Sequence, residues 1–199
     1  SETPYMTRRG IDFIREAGDK PWCMHLSYIK PHWPYIAPEP YNSMYSEKDV
    51  IPVVRSEEER RDPHPVFREF KAPLVSQSFS RDEVREEVIP VYMGLIKQID
   101  DQMGVLFKFL EDNGYFDNTM IVFTSDHGDY LGDHWMGEKE FFHEPSVKIP
   151  LIIYDPSPEA DATRGTVCDE LVEGIDLAPT FYEVFGGNPA DQSHRLEGL

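Results

Sequence analysis

Apolar positions recur at spacings of three and four between Arg81 and Asn113: Val84, Val88, Tyr92, Leu95, Ile96, Ile99, Met103, Leu106, Phe107 and Leu110. That period predicts one long amphipathic helix, which Pro90 should kink or restart and Asn113-Gly114 should end. A second stripe, Met6, Gly10, Phe13, Ile14 and Ala17, predicts a helix near the start, with Thr3 as cap, Pro4 in the first position and Gly18 after the last turn. From Pro21 to Ile29 the period drops to two, placing Trp22, Met24, Leu26 and Tyr28 on one face of a strand. Short β-branched runs, Thr119 to Thr124 and Ile149 to Tyr154, predict two more strands, and Asp176 to Phe185 a short helix closed by Gly186-Gly187. Residues 36 to about 80 are rich in proline and charge and keep no period, which marks a long surface excursion. Strands alternating with helices predict a layered α/β fold, with a largely parallel sheet flanked by helices, as a single domain over residues 1–199.

The charge is lopsided. Nineteen Lys and Arg stand against 37 Asp and Glu, for a formal net charge of −18. Nucleic acid and anionic membranes need a basic face, so neither is expected as a partner. Runs such as Glu57-Glu58-Glu59 and Asp82-Glu83 read as solvated surface, which leaves room for a locally positive site. No run approaches the roughly 20 apolar residues of a membrane span. No secretory leader is visible ahead of the first helix, and the first residue is not Met, which fits a cleaved or excised piece. Cys23 and Cys168 lie far apart and outside any Cys-x-x-Cys pair; they are expected as buried or half-buried thiols rather than a disulfide, as a reducing, cytoplasmic compartment would allow.

Chemistry concentrates where the strand ending at Thr124 gives way to Ser125-Asp126-His127-Gly128. Ligands of open α/β sheets gather beyond the carboxyl ends of strands. A carboxylate and an imidazole there can hold a divalent metal, with Gly128 permitting a sharp turn. Two further positions join them: His32, between prolines in Lys30-Pro31-His32-Trp33-Pro34-Tyr35, and Lys139, in Met136-Gly137-Glu138-Lys139-Glu140. Taken singly, each has a plain alternative: a polar loop, a surface histidine, or a lysine paired with its flanking acids. Together they make sense as a metal that neutralises an ester oxyanion, a lysine that stabilises the same charge and a histidine that assists the departing oxygen. His134 and His143 are expected to line the mouth of that site rather than ligate, because no His-Glu-x-x-His spacing occurs. Gly-x-Ser-x-Gly and the P-loop pattern are both missing, which excludes serine esterases of that type and P-loop enzymes.

These segments resemble the sulfatase branch of the alkaline phosphatase superfamily over nearly the whole chain. Phe123 to Gly128 resembles the family's second metal-ligand segment, Lys30-Pro31-His32-Trp33-Pro34 its Pro-His-x-Pro segment, and Lys139 falls where the family places a substrate-binding lysine. Ile149 to Ile153 and Gly174 to Thr180 are similar to stretches of the family scaffold. Leu131-Gly132-Asp133-His134-Trp135, continuing through Lys139 to Pro145-Ser146, is most similar to phosphonate monoester hydrolases. The resemblance implies an alkaline phosphatase-like fold and hydrolysis of small anionic esters (phosphonate monoesters, phosphate diesters or sulfate esters). It implies Asp126 and His127 on a divalent metal, calcium or manganese, with Lys139 and His32 as catalytic groups, and assembly as a homo-oligomer. It also implies a formylglycine nucleophile within a Cys/Ser-x-Pro/Ala-x-Arg motif, which neither Cys23 nor Cys168 matches. The chain is therefore expected to be a partial domain, the middle-to-late portion of a longer enzyme, without turnover on its own. A Ser- or Thr-dependent phosphodiesterase or phosphomutase of the same superfamily, and a non-catalytic metal- or ligand-binding module, are the alternatives.

Overall fold

A computed structural model describes residues 2–192, 195, 197 and 198. Two compact units divide the chain, Ser1–Pro156 and Ser157–Leu199. The first holds α1 (Glu2–Ala17), three short helices α2 (Glu58–Arg61), α3 (Pro65–Lys71) and α4 (Leu74–Phe79), the long α5 (Asp82–Asp112), β1 (Ile121–Thr124), α6 (Glu144–Val147) and β2 (Leu151–Tyr154). The second carries α7 (Leu177–Val184).

The core forms where α1 crosses α5. Ile11 and Ile14 of α1 meet Leu106 and Leu110 of α5, and Trp22, Met24, Leu26, Phe107, Phe109, Tyr115, Phe116 and Ile121 close around them. Complete burial of a side chain such as Ile14 contributes roughly 1.5–3 kcal/mol. The buried face of α1 runs through Thr3, Thr7, Gly10, Ile11 and Ile14, so Thr3 lies inside the helix and not at its cap. Gly18 ends α1 at φ 58°, its amide bonded to the Ile14 carbonyl at 3.3 Å. α5 is a single 31-residue helix with Pro90 inside it, so the proline does not restart the helix.

The sheet departs from expectation. Residues 21–29 do alternate, with Trp22, Met24 and Leu26 turned to the core, yet they form no ladder among the described residues. β1 and β2 pair antiparallel, Ile121 opposite Tyr154 and Thr124 opposite Leu151. The described residues thus show one antiparallel pair in place of the largely parallel sheet expected. A parallel neighbour needs a crossover, normally a helix. Between β1 and β2 the chain offers only a 3-10 turn at Asp133–Trp135, the four-residue α6 and irregular backbone, so it folds back.

The excursion is less irregular than its sequence suggests, since it contains α2, α3 and α4. It is pinned to α5: a Cβ on Gly94 would stand 2.1 Å from the Tyr41 carbonyl oxygen, and the Tyr41 hydroxyl donates to Asp101 at 2.9 Å. In the second unit Asp176 precedes α7 without capping it through its side chain, which accepts the Glu173 amide at 2.8 Å, and Gly186 (φ 80°) closes the helix with its amide on the Glu183 carbonyl at 2.8 Å.

Candidate active site

β1 delivers Ser125, Asp126 and His127 to the surface in three consecutive steps. The Asp126 side chain is 86% exposed and the His127 side chain 30%. Asp126 Oδ1 accepts the His127 amide at 3.0 Å, and Oδ2 stands 3.6 Å from His127 Nε2. His127 Nδ1 is 2.7 Å from the Gly128 carbonyl. A carbonyl can only accept, so Nδ1 carries the hydrogen, and Nε2 is the ring nitrogen turned to the Asp126 carboxylate. Gly128 serves a purpose other than the expected turn. Its amide bonds to the Ser146 carbonyl at 2.8 Å, and a Cβ there would lie 2.0 Å from the Pro145 carbonyl oxygen. The site thus needs glycine for close backbone approach.

His32 arrives on a loop that its own lysine braces. Lys30 Nζ donates to the carbonyls of Pro34 at 2.6 Å and His32 at 3.3 Å. His32 Nδ1 donates to the Trp33 carbonyl at 2.9 Å, and the two rings lie 5.4 Å apart. Its Nε2 therefore faces Lys139 Nζ as an acceptor, 3.5 Å away. The His32 and His127 ring centroids are 6.3 Å apart, edge to face. His32, His127 and Lys139, distant in sequence, meet in one place with Asp126 beside them. Glu140 flanks the group; desolvation and Glu138 push its carboxyl above the usual range, while Lys139 and His127 pull it back.

Sequence reasoning missed the residues that hold this arrangement. Tyr35 donates to Asp129 Oδ2 at 3.0 Å, joining the His32 loop to the segment after His127. Burial is the largest cause pushing both groups up, the Asp129 carboxyl and the Tyr35 hydroxyl. Burial, with Asp129 second, also pushes the neighbouring Tyr92 hydroxyl up to about 12. Arg85, buried in α5, donates to the Leu131 carbonyl at 3.1 Å and the Ile51 carbonyl at 3.4 Å and pairs with Asp82 at 3.2 Å. An arginine on a helix otherwise read by its apolar stripe gave no signal of this. Residues 131–141 carry the only non-glycine positive φ angles among the described residues: Leu131, His134, Trp135, Glu138, Glu140 and Phe141. Each costs on the order of 1–2 kcal/mol, and such angles persist only where surroundings over-determine them. Here Val54 donates to Asp133 at 2.9 Å, the Trp135 indole donates to the Ser56 carbonyl at 2.7 Å, and Arg55 and Arg60 each lie within 4.3 Å of the Trp135 ring centroid.

Among the described residues no group of three or more His, Cys, Asp and Glu side chains could hold a metal ion. The chemistry of Asp126 and His127 nevertheless fits two donors of a divalent metal: a carboxylate with an uncommitted oxygen, and an imidazole whose Nδ1–H is spoken for and whose Nε2 is open.

A profile of the Sulfatase family matches residues 3–187. The chain belongs to the sulfatase family. This sulfatase chain is 33% identical over 200 residues to the multifunctional alkaline phosphatase superfamily protein PehA of Trinickia caryophylli, across 94% of the chain and 38% of that protein. It is 30% identical to an arylsulfatase of Clostridium perfringens, across 91% of the chain and 37% of that protein. Two phosphonate monoester hydrolases share its fold. The one from Agrobacterium radiobacter superposes with a TM-score of 0.85 at 29% identity, covering 94% of this chain and 39% of that one. The one from Silicibacter pomeroyi gives 0.83 at 31% identity, covering 94% and 38%. The sulfatase chain thus spans under two-fifths of the curated relatives it matches. The buried thiols expected from the sequence are corrected: Cys23 and Cys168 are both free and exposed. Cys23 falls on the outward face of the alternating 21–29 segment, which explains its exposure.

Proposed function

We propose that this chain supplies the metal-holding and anion-holding half of a hydrolase acting on phosphonate monoesters, phosphate diesters or sulfate esters. The observation that carries this is the convergence of His32, Lys139 and His127 from three separate segments, with Lys139 Nζ 3.5 Å from His32 Nε2. In that reading Asp126 and His127 hold a divalent metal, calcium or manganese, which when bound draws charge from the ester oxyanion. Lys139 offers its remaining N–H bonds to the transferred phosphonyl, phosphoryl or sulfuryl group. His32, oriented by the Trp33 carbonyl, keeps Nε2 towards the site; a proton placed there can pass to the leaving oxygen. The nucleophile, a formylglycine hydrate, would come from outside these residues. So would strands to pair with the unpartnered 21–29 segment and complete a largely parallel sheet.

Two donors bind a divalent ion far more weakly than a full set, so the chain alone is expected to show no turnover. Multiple-turnover cleavage of an aryl phosphonate, a phosphate diester or an aryl sulfate by the purified chain would contradict this. The likeness in fold to two phosphonate monoester hydrolases at 29% and 31% identity supports phosphonate esters first. A Ser- or Thr-dependent phosphodiesterase or phosphomutase has less reason to bring both His32 and Lys139 to the metal pair. A formylglycine-type motif, Cys-x-Pro-x-Arg, upstream of Ser1 in the parent reading frame supports the hydrolase; a frame that holds no such motif favours a binding module.

A further inference from the structure

Two imidazoles that the proposed reaction does not use stack face to face beside the Lys139 loop. The His134 and His143 rings lie 4.1 Å apart at 15°. His134 donates through Nδ1 to Glu59 Oε1 at 3.1 Å, and His143 Nδ1 is hydrogen-bonded to the Tyr130 hydroxyl at 2.9 Å. Glu59 Oε2 is buried with no hydrogen-bond partner among the described residues. Phe67 lies against His143 at 5.6 Å and against Phe141 at 4.3 Å.

Lys139 lies between the two stacked residues in sequence. The backbone on either side of it is left-handed, at Glu138 (φ 62°) and Glu140 (φ 83°), so the direction of its side chain depends on angles that relax when released. The Tyr130 amide bonds the Glu138 carbonyl at 2.7 Å, and the Gly137 amide the Ser76 hydroxyl at 3.3 Å. With His134 tied to α2 and His143 stacked on it, the segment between them closes into a ring with little slack. Burial, together with His134 and Lys71, pushes the His143 imidazole below its usual value against the pull of Glu59, which disfavours a positive charge on that ring.

We propose that the stacked His134–His143 pair, held by Glu59 and Tyr130, is a positioning device that fixes Lys139 against His32. The proposal rests on the reading of Lys139 as the group that binds the transferred anion.

The test uses the longest natural polypeptide carrying this chain, loaded with metal, and an aryl phosphonate substrate. Replacing both histidines by alanine (His134→Ala with His143→Ala) should lower kcat at least tenfold, change KM less than threefold and leave metal content intact. Replacing His143 alone by phenylalanine keeps two stacked rings and the His134–Glu59 bond, and should hold kcat within threefold of the parent. In a Lys139→Ala background the alanine pair should have no further effect, because a device that works through Lys139 has nothing left to position. Backbone amides of residues 130–141 should exchange hydrogen at least tenfold faster in the alanine pair. Additive losses of kcat in the Lys139→Ala background, or unchanged exchange, overturn the proposal and leave the role of Lys139 standing. Parent-like turnover by Lys139→Ala alone removes the role of Lys139 and the proposal with it.

Discussion

Gly128→Ala is the sharpest perturbation the structure offers. The new methyl carbon would sit 2.0 Å from the Pro145 carbonyl oxygen and 3.0 Å from its carbon, both backbone atoms that no side-chain rotation can clear. The segment after His127 must withdraw from residues 145–146, breaking the 2.8 Å bond between the Gly128 amide and the Ser146 carbonyl. Forced overpacking costs about 1–3 kcal/mol and the lost hydrogen bond about 1 kcal/mol, together about 2–4 kcal/mol. Because the displaced residue follows the two proposed ligands directly, the strain falls on Asp126 and His127. If all of it appears in metal affinity, binding weakens about 30- to 700-fold, at tenfold per 1.4 kcal/mol. Competition against a fluorescent chelator, on the longest natural polypeptide, reads this directly. The control is Gly104→Ala in α5, where a Cβ meets nothing within 4 Å. There alanine should leave affinity unchanged and favour the helix by about 0.5–1 kcal/mol. Parent-like affinity and thermal stability in Gly128→Ala would refute the close-approach argument.

Four further outcomes follow from the same geometry, each measured on the same long polypeptide. His127→Ala should lower bound metal and turnover together, read by elemental analysis and a chromogenic assay in parallel. His32→Ala should lower turnover with metal retained, most for substrates with poor leaving groups; equal turnover on those would remove its assigned role. The depressed His143 imidazole contributes stability that is fully present above the usual value of 6.5 and is lost as pH falls through its folded value. The parent's Tm should therefore fall further than that of His143→Phe between pH 7.5 and 5, and equal falls would contradict the burial argument. Leu95→Ala removes a side chain with no exposed surface and should cost about 2–5 kcal/mol in urea unfolding; a loss below about 1 kcal/mol would mean the site collapses around the gap.

Period and residue type carried much of this protein without help. The three-and-four spacing after Arg81 marks α5 because a helix buries one face whatever packs against it, and the alternation from Trp22 to Tyr28 names the core-facing side even where no ladder forms. The candidate site residues stand out too: Asp126 and His127 follow a β-branched run, and His32 stands between prolines. Pairing partners were not legible, because strand direction depends on where the chain returns, and the short α6 provides no crossover. Nor were the supports: Arg85, Tyr35, Glu59 and Ser76 act through contacts between segments far apart in the chain, and their residue types announce nothing of it. Even Gly128, noticed early, is required by the approach of Pro145, a neighbour in space alone. Local chemistry is written in neighbouring residues, whereas close packing, desolvation and strain come into being only when distant segments share a volume.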